Sequence, residues 1–365
     1  MENVYFFTGF PGFISTSIIK NLVKSDYQVG HIYLLVLPQM VEKASQEILY
    51  ATTKEELPES NFTIIPGDIT KQGLGIPEEM QAELEISVTH VFHLAAIYDL
   101  AVPENIAQKV NVDGTRNINQ WVLSLTKLER YIYFSTAYVS GDRQGVIYEN
   151  ELQMGQGFKN HYERTKYDAE VLVEEVKEKV PVTIIRPGVV RGDSKTGETI
   201  KFDGPYFILN VLDRLRYSPL LPYLASGEAE GNFVPIDYVL NGTIYLAHEK
   251  VGIGKTYHLT DPEPYKMNEV YKMLMNEYLG KTPKGALPLF LTKGFLSLSP
   301  MRKWIRVQKE AMDYFTCVSH YDCTQAQDDL QGSGISCPDF KDSLKSMVMY
   351  YDEYKNDRDK QLTII

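Results

Sequence analysis

A doubly wound α/β fold, with a parallel sheet covered by helices on both faces, is what this sequence predicts. Three observations lead there. Short, unbroken apolar runs alternate with helical stretches from the first residues onward; a glycine-bearing turn follows the first of these runs; and the alternation persists to about residue 192. Strands covered on both faces read as continuous apolar runs, whereas half-exposed strands alternate.

Val4 to Phe7 reads as the first strand and Gly12 to Val23 as the helix after it. Ile32 to Leu37 is a second strand, followed by a helical stretch through Tyr50. Phe62 to Ile65 and Val91 to Leu94 are the third and fourth strands. A long helix is expected from Pro103 to Leu125, with proline tolerated in its first turn. Tyr131 to Phe134 is the fifth strand and Val182 to Ile185 the sixth, flanking a helix over 161–179. Sheets of this kind bind their ligands at the carboxyl ends of the strands.

Residues 1–192 are read as one domain and 193–365 as mostly a smaller, partly interleaved subdomain, with segments near 230–260 returning to the first. The change is marked by the turn-rich stretches Gly192–Gly197 and Asp203-Gly204-Pro205. Beyond them, residues 206–224 read as an apolar helix interrupted by proline. Phe233–Pro235 and Thr256–Leu259 read as short strands, Met267–Tyr278 as a helix, and Arg302–Phe315 as helical.

A net charge of −11 with no basic tract argues against a nucleic-acid partner. Cys317, Cys323 and Cys337 lack CxxC spacing and a matching histidine cluster, so no metal site and no disulfide framework is expected. A reducing, cytoplasmic setting follows. Met1-Glu2-Asn3 lacks the basic region of a signal peptide, and no apolar run reaches the roughly 18 residues of a membrane span.

The turn Thr8-Gly9-Phe10-Pro11-Gly12-Phe13-Ile14-Ser15 links the first strand to the first helix. Gly9 permits the tight turn, Gly12 allows close approach of a pyrophosphate, and the helix N-terminus offers N–H donors. Ser15 stands where the usual third glycine would be. Asp68, after the third strand, reads either as an acceptor for an adenine amino group or as a turn residue. Leu94-Ala95-Ala96 ends the fourth strand with residues small enough for a cofactor to lie on the backbone. His93, inside that strand, reads as a core histidine. Leu37, at the end of the second strand, is neither the acid that selects NAD nor the arginine that selects NADP.

Tyr162 and Lys166 lie four apart on a helix and so share a face. A neighbouring ammonium lowers a phenol's pKa from about 10 and makes proton exchange with a carbonyl oxygen practicable. The same lysine can bond the nicotinamide ribose, and Ser135-Thr136 at the fifth strand's end can orient a substrate oxygen. Gly turn, Ser-Thr strand end and YxxxK, in that order, point to a nicotinamide-dependent oxidoreductase on a Rossmann domain.

The chain resembles the extended short-chain dehydrogenase/reductases, in their fatty acyl-CoA reductase and thioester reductase branch, with its male-sterility-type NAD-binding domain. The matching stretches are Thr8–Ile14, Gly67–Thr70 with Leu74-Gly75, His93–Ala96, Asn111–Thr115, Ser135–Gly141, Tyr162–Lys166 with Ala169-Glu170, and Arg186-Pro187-Gly188, over roughly residues 1–260. The resemblance implies Tyr162 as general acid, Lys166 as its tuner and ribose ligand, Thr136 as the substrate-orienting hydroxyl, and Asn111 as support for a water relay to the lysine. It places the cofactor against Thr8–Ile14, Asp68, Ile69, Leu94–Ala96, Tyr162, Lys166 and Pro187-Gly188-Val189. The branch favours NADP, a preference that Leu37 leaves open against NAD.

An apolar substrate, most specifically an acyl thioester such as an acyl-CoA, is expected to meet the region after Gly192. Tyr206–Leu209, Val211-Leu212, Pro219–Leu221, Leu287–Leu291 and Phe295-Leu296 offer either an acyl groove, a peripheral membrane contact flanked by Lys284, Lys293, Arg302 and Lys303, or simply a subdomain core. A ketoreductase or alcohol dehydrogenase for bulky hydrophobic or sterol-like compounds, and a non-catalytic nucleotide sensor, are the competing readings. By analogy, the helices 103–125 and 161–179 would form a homodimer interface.

Overall fold

The computed structural model describes residues 2–54, 58–98, 102–224, 227–287, 299–306 and 318–361. In chain order the elements are β1 (Asn3–Thr8), α1 (Phe13–Val23), β2 (Val29–Val36), α2 (Val41–Lys54), β3 (Phe62–Pro66), α3 (Glu78–Ser87) and β4 (His90–His93). There follow α4 (Glu104–Ala107), a π-helical turn Gln108–Asp113, α5 (Gly114–Val122), β5 (Arg130–Phe134), β6 (Gly145–Ile147), α6 (His161–Glu174), β7 (Val182–Pro187) and β8 (Val189–Arg191). The remainder comprises α7 (Tyr206–Arg214), β9 (Tyr223–Leu224), β10 (Phe233–Pro235), α8 (Ile236–His248), β11 (Lys255–Leu259), α9 (Met267–Leu279), β12 (Ala286–Leu287), β13 (Ser319–Tyr321), and helices Ser299–Ile305, Thr324–Leu330 and Leu344–Tyr354.

Seven strands form one sheet in the order β11-β7-β5-β4-β1-β2-β3, parallel throughout. The chain builds outward through β2 and β3, then returns to lay β4 beside β1 and builds the other way. That reversal opens a crevice at the carboxyl ends of β1 and β4, where doubly wound sheets bind ligands.

Side chains of successive strand residues point to opposite faces, so each strand supplies two cores. Tyr5, Phe7, Leu34, Phe92, Ile132, Phe134 and Ile185 pack on one face under α1, α2 and α8. Phe6, Tyr33, Leu35, Val91, Tyr131, Tyr133 and Ile184 pack on the other under α3, α5 and α6. A third cluster joins α7, α9 and the helix Leu344–Tyr354. Tyr206, Phe207, Ile208, Leu209 and Leu212 are buried in the structure, most of them in this third core. Ala326 and Leu330 pack on the sheet core with α8, so the C-terminal region also covers part of the sheet.

Several boundaries differ from the sequence reading. Helix α7 stops at Arg214, and Tyr223-Leu224 pairs with Ala286-Leu287 as a strand; Pro219 disfavours helical backbone at Ser218 before it. The stretch 103–125 is helical but broken in register by the π-turn, and ends at Val122. Helix α6 ends at Glu174 rather than 179. Helices α3 and α8 are absent from the reading: α3 buries only Leu84, and α8 is buried almost all round, so neither displays an apolar stripe. Leu289–Leu291, Lys293, Phe295-Leu296, Phe315 and Cys317 lie outside the described residues. Among the described residues, no helix is long and apolar enough to cross a membrane, and no group of three His, Cys, Asp or Glu is placed to hold a metal.

One buried ion pair fastens α6 to the sheet. Arg186 of β7 donates to Glu170 Oε1 from Nε (2.8 Å) and Nη2 (2.5 Å), and Ser135 donates to the other carboxylate oxygen. Arg186 Nη1 reaches Glu149 O and His258 Nε2, both at 3.2 Å. His258 therefore accepts at Nε2 and donates from Nδ1 to Asp322 O (2.7 Å). Glu149 in turn accepts from the backbone N–H groups of His258, Gln325 and Ala326, while burial lifts its carboxyl to about 7. Glu170→Gln strands the Arg186 charge in the interior, and the expected cost is about 3–5 kcal/mol, read as a lower urea midpoint in equilibrium unfolding.

Candidate active site

The first turn of the crevice is built by its glycines. Gly9 has φ of +84°, and a Cβ there would lie 2.8 Å from Ala95 N, so no side chain fits. Gly12 N–H donates to Gly9 O (2.8 Å), and a Cβ on Gly12 would come within 2.5 Å of that same oxygen. The second glycine is thus demanded by the turn's own closure. Ser15 Oγ lies 2.9 Å from both Gly9 O and Gly12 O, so the serine in the third position ties the turn together.

Helix α1 begins with no side-chain cap and no acidic residue in its first turn. Its leading N–H groups and positive end suit an anionic ligand. Phe10 is buried, and Phe13 and Ile14 pack against the sheet core, fixing the helix; Pro11 is half-buried beside them.

The other strand ends converge on this turn. Leu94 and Ala95 donate from their backbones to Thr8 Oγ1 at 3.2 and 3.1 Å, and half-buried Ala96 follows. Asp68 Oδ1 accepts from Thr70 N and Thr70 Oγ1 and so holds its own turn. Ile69 is buried against Gly114 at the start of α5. Pro187 ends β7; Gly188 N–H donates to Leu259 O, and a Cβ on Gly188 would press within 2.4 Å of Asn232 Oδ1. Val189 N–H donates to Asn232 O (2.9 Å). Leu37, 42% exposed past β2, presents neither carboxylate nor guanidinium.

Asn160 caps α6 by accepting from Glu163 N (2.9 Å), which sets the helix phase. Tyr162, Lys166 and Glu170 then form a buried stripe at i, i+4 and i+8. Tyr162 packs with Ile97, Val102 and Ala107, with the Tyr98 ring edge-on at 5.2 Å. Burial pushes its phenol well above its ordinary value, opposed by the nearby Thr136 hydroxyl. Ser135 is engaged with Glu170, so of the two adjacent hydroxyls Thr136 is the one at the phenol.

Lys166 is buried on the inner face of α6. Its Nζ donates to Tyr133 OH (3.0 Å) and Phe134 O (2.7 Å), and burial brings the amine down to about 7 against the opposing pull of Glu170. The ammonium is therefore seated on β5, and desolvation rather than lysine charge governs the phenol. Asn111, within the π-turn, accepts from Ile97 N (2.8 Å) and donates to Thr165 Oγ1 (3.0 Å). His93 bridges the hydroxyls of Thr8 and Thr115, the satisfied core histidine that its strand position suggests.

Sequence reasoning gave Tyr133 no role and quoted Thr115, Ser135, Glu170 and Arg186 as matching positions without bringing them together. The available signal was alternation in β5, which puts Tyr131, Tyr133 and Ser135 on the face that α6 covers.

Comparison with known proteins agrees with this architecture. An NAD-binding family model described as male sterility protein matches residues 7–243. The non-canonical nonribosomal peptide synthetase cpsA of Aspergillus campestris is 25% identical over 306 residues, covering 79% of this chain and 28% of that protein. The fatty acyl-CoA reductase wat of Drosophila melanogaster is 26% identical over 279 residues, covering 66% of this chain and 53% of that protein. The chain thus spans about half or less of the length of these curated relatives. Among solved structures, the terminal R domain from the myxalamid PKS-NRPS biosynthetic pathway superposes with a TM-score of 0.79 at 23% identity, covering 99% of this chain and 93% of that one.

Gly9→Ala forces a side chain into a left-handed backbone and against Leu94-Ala95. An unfolding free energy lower by about 1–3 kcal/mol is expected in urea titration. Roughly tenfold weaker nucleotide binding, by nicotinamide fluorescence, should accompany it.

Proposed function

The chain belongs to the male sterility protein family of NAD-binding domains, extended short-chain dehydrogenase/reductases, and we propose that it reduces acyl thioesters with NADPH or NADH. The observation that carries this reading is the buried Thr136–Tyr162–Lys166 set beside an uncapped glycine turn at the sheet's switch point.

The residues present fit a dinucleotide. The Gly9–Ile14 turn and α1 N-terminus would hold its pyrophosphate, Leu94–Ala96 its central backbone, Lys166 its nicotinamide ribose, and Pro187–Val189 the nicotinamide end. When bound, the reduced nicotinamide supplies the hydride that adds to the thioester carbonyl carbon. Thr136 orients the carbonyl oxygen, and Tyr162 gives it the proton. Burial keeps this phenol protonated across the neutral range, which suits an acid in the reductive direction. Collapse of the resulting hemithioacetal breaks the carbon–sulfur bond and leaves an aldehyde and a free thiol. Ile97, Tyr98 and Val102 form an apolar collar that excludes water from the phenol. Asn111, tied to Thr165, holds α6 beside that collar. The acyl substrate class is supported by the relatives' names together with this collar.

The test is oxidation of NADPH or NADH on addition of a long-chain acyl-CoA, with thiol release followed by a chromogenic disulfide. Coupled thiol release supports the thioester reading, whereas turnover confined to ketones and alcohols removes it. Tyr162→Phe is expected to lower turnover about 100- to 10,000-fold while nucleotide affinity stays within about threefold.

A further inference from the structure

An ammonium has three N–H donors, and β5 engages two of those on Lys166, through Tyr133 OH and Phe134 O. The Tyr133 ring itself packs against the His93 ring, with centroids 5.6 Å apart. Thr115 Oγ1 lies 2.6 Å from Asn111 O and 3.0 Å from His93 Nε2, and His93 Nδ1 lies 2.8 Å from Thr8 Oγ1. Proton accounting fixes the directions along this chain. Thr8 Oγ1 accepts from Leu94 and Ala95, so its own proton goes to His93 Nδ1. The imidazole then carries its proton on Nε2 and donates to Thr115, whose proton goes to Asn111 O. Burial, reinforced by the Lys166 charge, holds the ring neutral by lowering its pKa to about 3. Thr8, His93, Thr115, Tyr133 and Lys166 are all at most 3% exposed, so bulk water does not compete along the chain.

We propose that Tyr133 is a positioning residue for the Lys166 amine, held against a buried chain that runs from the cradle turn through Thr8 and His93 to Thr115. It rests on the reductase reading for its consequence in turnover, though its geometry does not. With two donors fixed on β5, the third is left for the bound nucleotide, and the lysine approaches it from one direction only. The chain begins at the backbone against which Gly9 packs, so the seat of the lysine and the seat of the pyrophosphate share one rigid unit. The charged or titratable groups facing Lys166 are Glu170 and Tyr162 of α6, Tyr133 of β5 and His93 of β4.

The test reads the lysine directly. The Lys166 side chain is titrated by carbon-13 NMR in the full chain without nucleotide, with Lys166→Arg supplying the assignment, in wild type, Tyr133→Phe and Thr115→Val. Loss of the phenol oxygen removes a partner of the charged form, so the Tyr133→Phe midpoint should fall by about one pH unit. Thr115→Val should move it the same way by less. The alkaline limb of the pH–turnover profile should shift with it, while nucleotide affinity stays within about threefold. An unchanged midpoint in both variants, or turnover reduced by one factor at every pH, overturns the positioning role. Should Tyr133→Phe fail to fold, Thr115→Val decides. Failure of wild type to turn over any acyl-CoA defeats the reductase reading alone, since the lysine titration still stands.

Discussion

Helix α6 carries Tyr162 and Lys166, and a buried ion pair, Glu170 with Arg186, holds it to the sheet. The carboxylate takes two N–H groups of the guanidinium on one oxygen and the Ser135 hydroxyl on the other. Such a pair contributes little net stability, because desolvating two charges offsets most of their attraction. What it contributes here is registry. Shifting α6 by one residue would turn Glu170 away from Arg186 and rotate Tyr162 and Lys166 off their face together. The same arginine reaches Glu149 O and His258, and through them the helix Thr324–Leu330. A segment more than a hundred residues downstream in sequence is thus tied to the same arginine that sets the register of α6.

Much of this was legible in the sequence, and the reasons are local. The strands β1 to β5 and β7 read correctly because covered parallel strands are continuous apolar runs. The Gly9 turn and the Tyr162–Lys166 spacing read correctly because each satisfies a steric or helical rule within a few residues. What failed depended on partners far away. A tyrosine at 133 looks like any strand aromatic until α6 sets Lys166 above it. The expected effect of Lys166 on Tyr162 rested on spacing alone; a shared helix face brings two side chains near each other without deciding which neighbour each bonds. Helix α8 was invisible for the opposite reason, since burial on nearly all sides erases the periodicity that reveals a helix.

Ser15 illustrates a departure from pattern that the structure resolves. A serine in place of the third glycine is small enough to keep α1 packed closely on β1, and Ser15 is buried. The serine hydroxyl lies 2.9 Å from both Gly9 O and Gly12 O and shares its one proton between them. It keeps the close approach and leaves the helix N-terminus uncapped, which is the property the site needs.

Burial acts on the two central groups in opposite senses. It raises the Tyr162 phenol and lowers the Lys166 amine to about 7, so each is driven toward its neutral form. A site that excluded water while keeping a phenolate and an ammonium apart would carry two uncompensated charges, each costing several kcal/mol. Keeping both near neutrality avoids that cost in the absence of ligand. The amine sits where a small electrostatic change alters its charge at physiological pH.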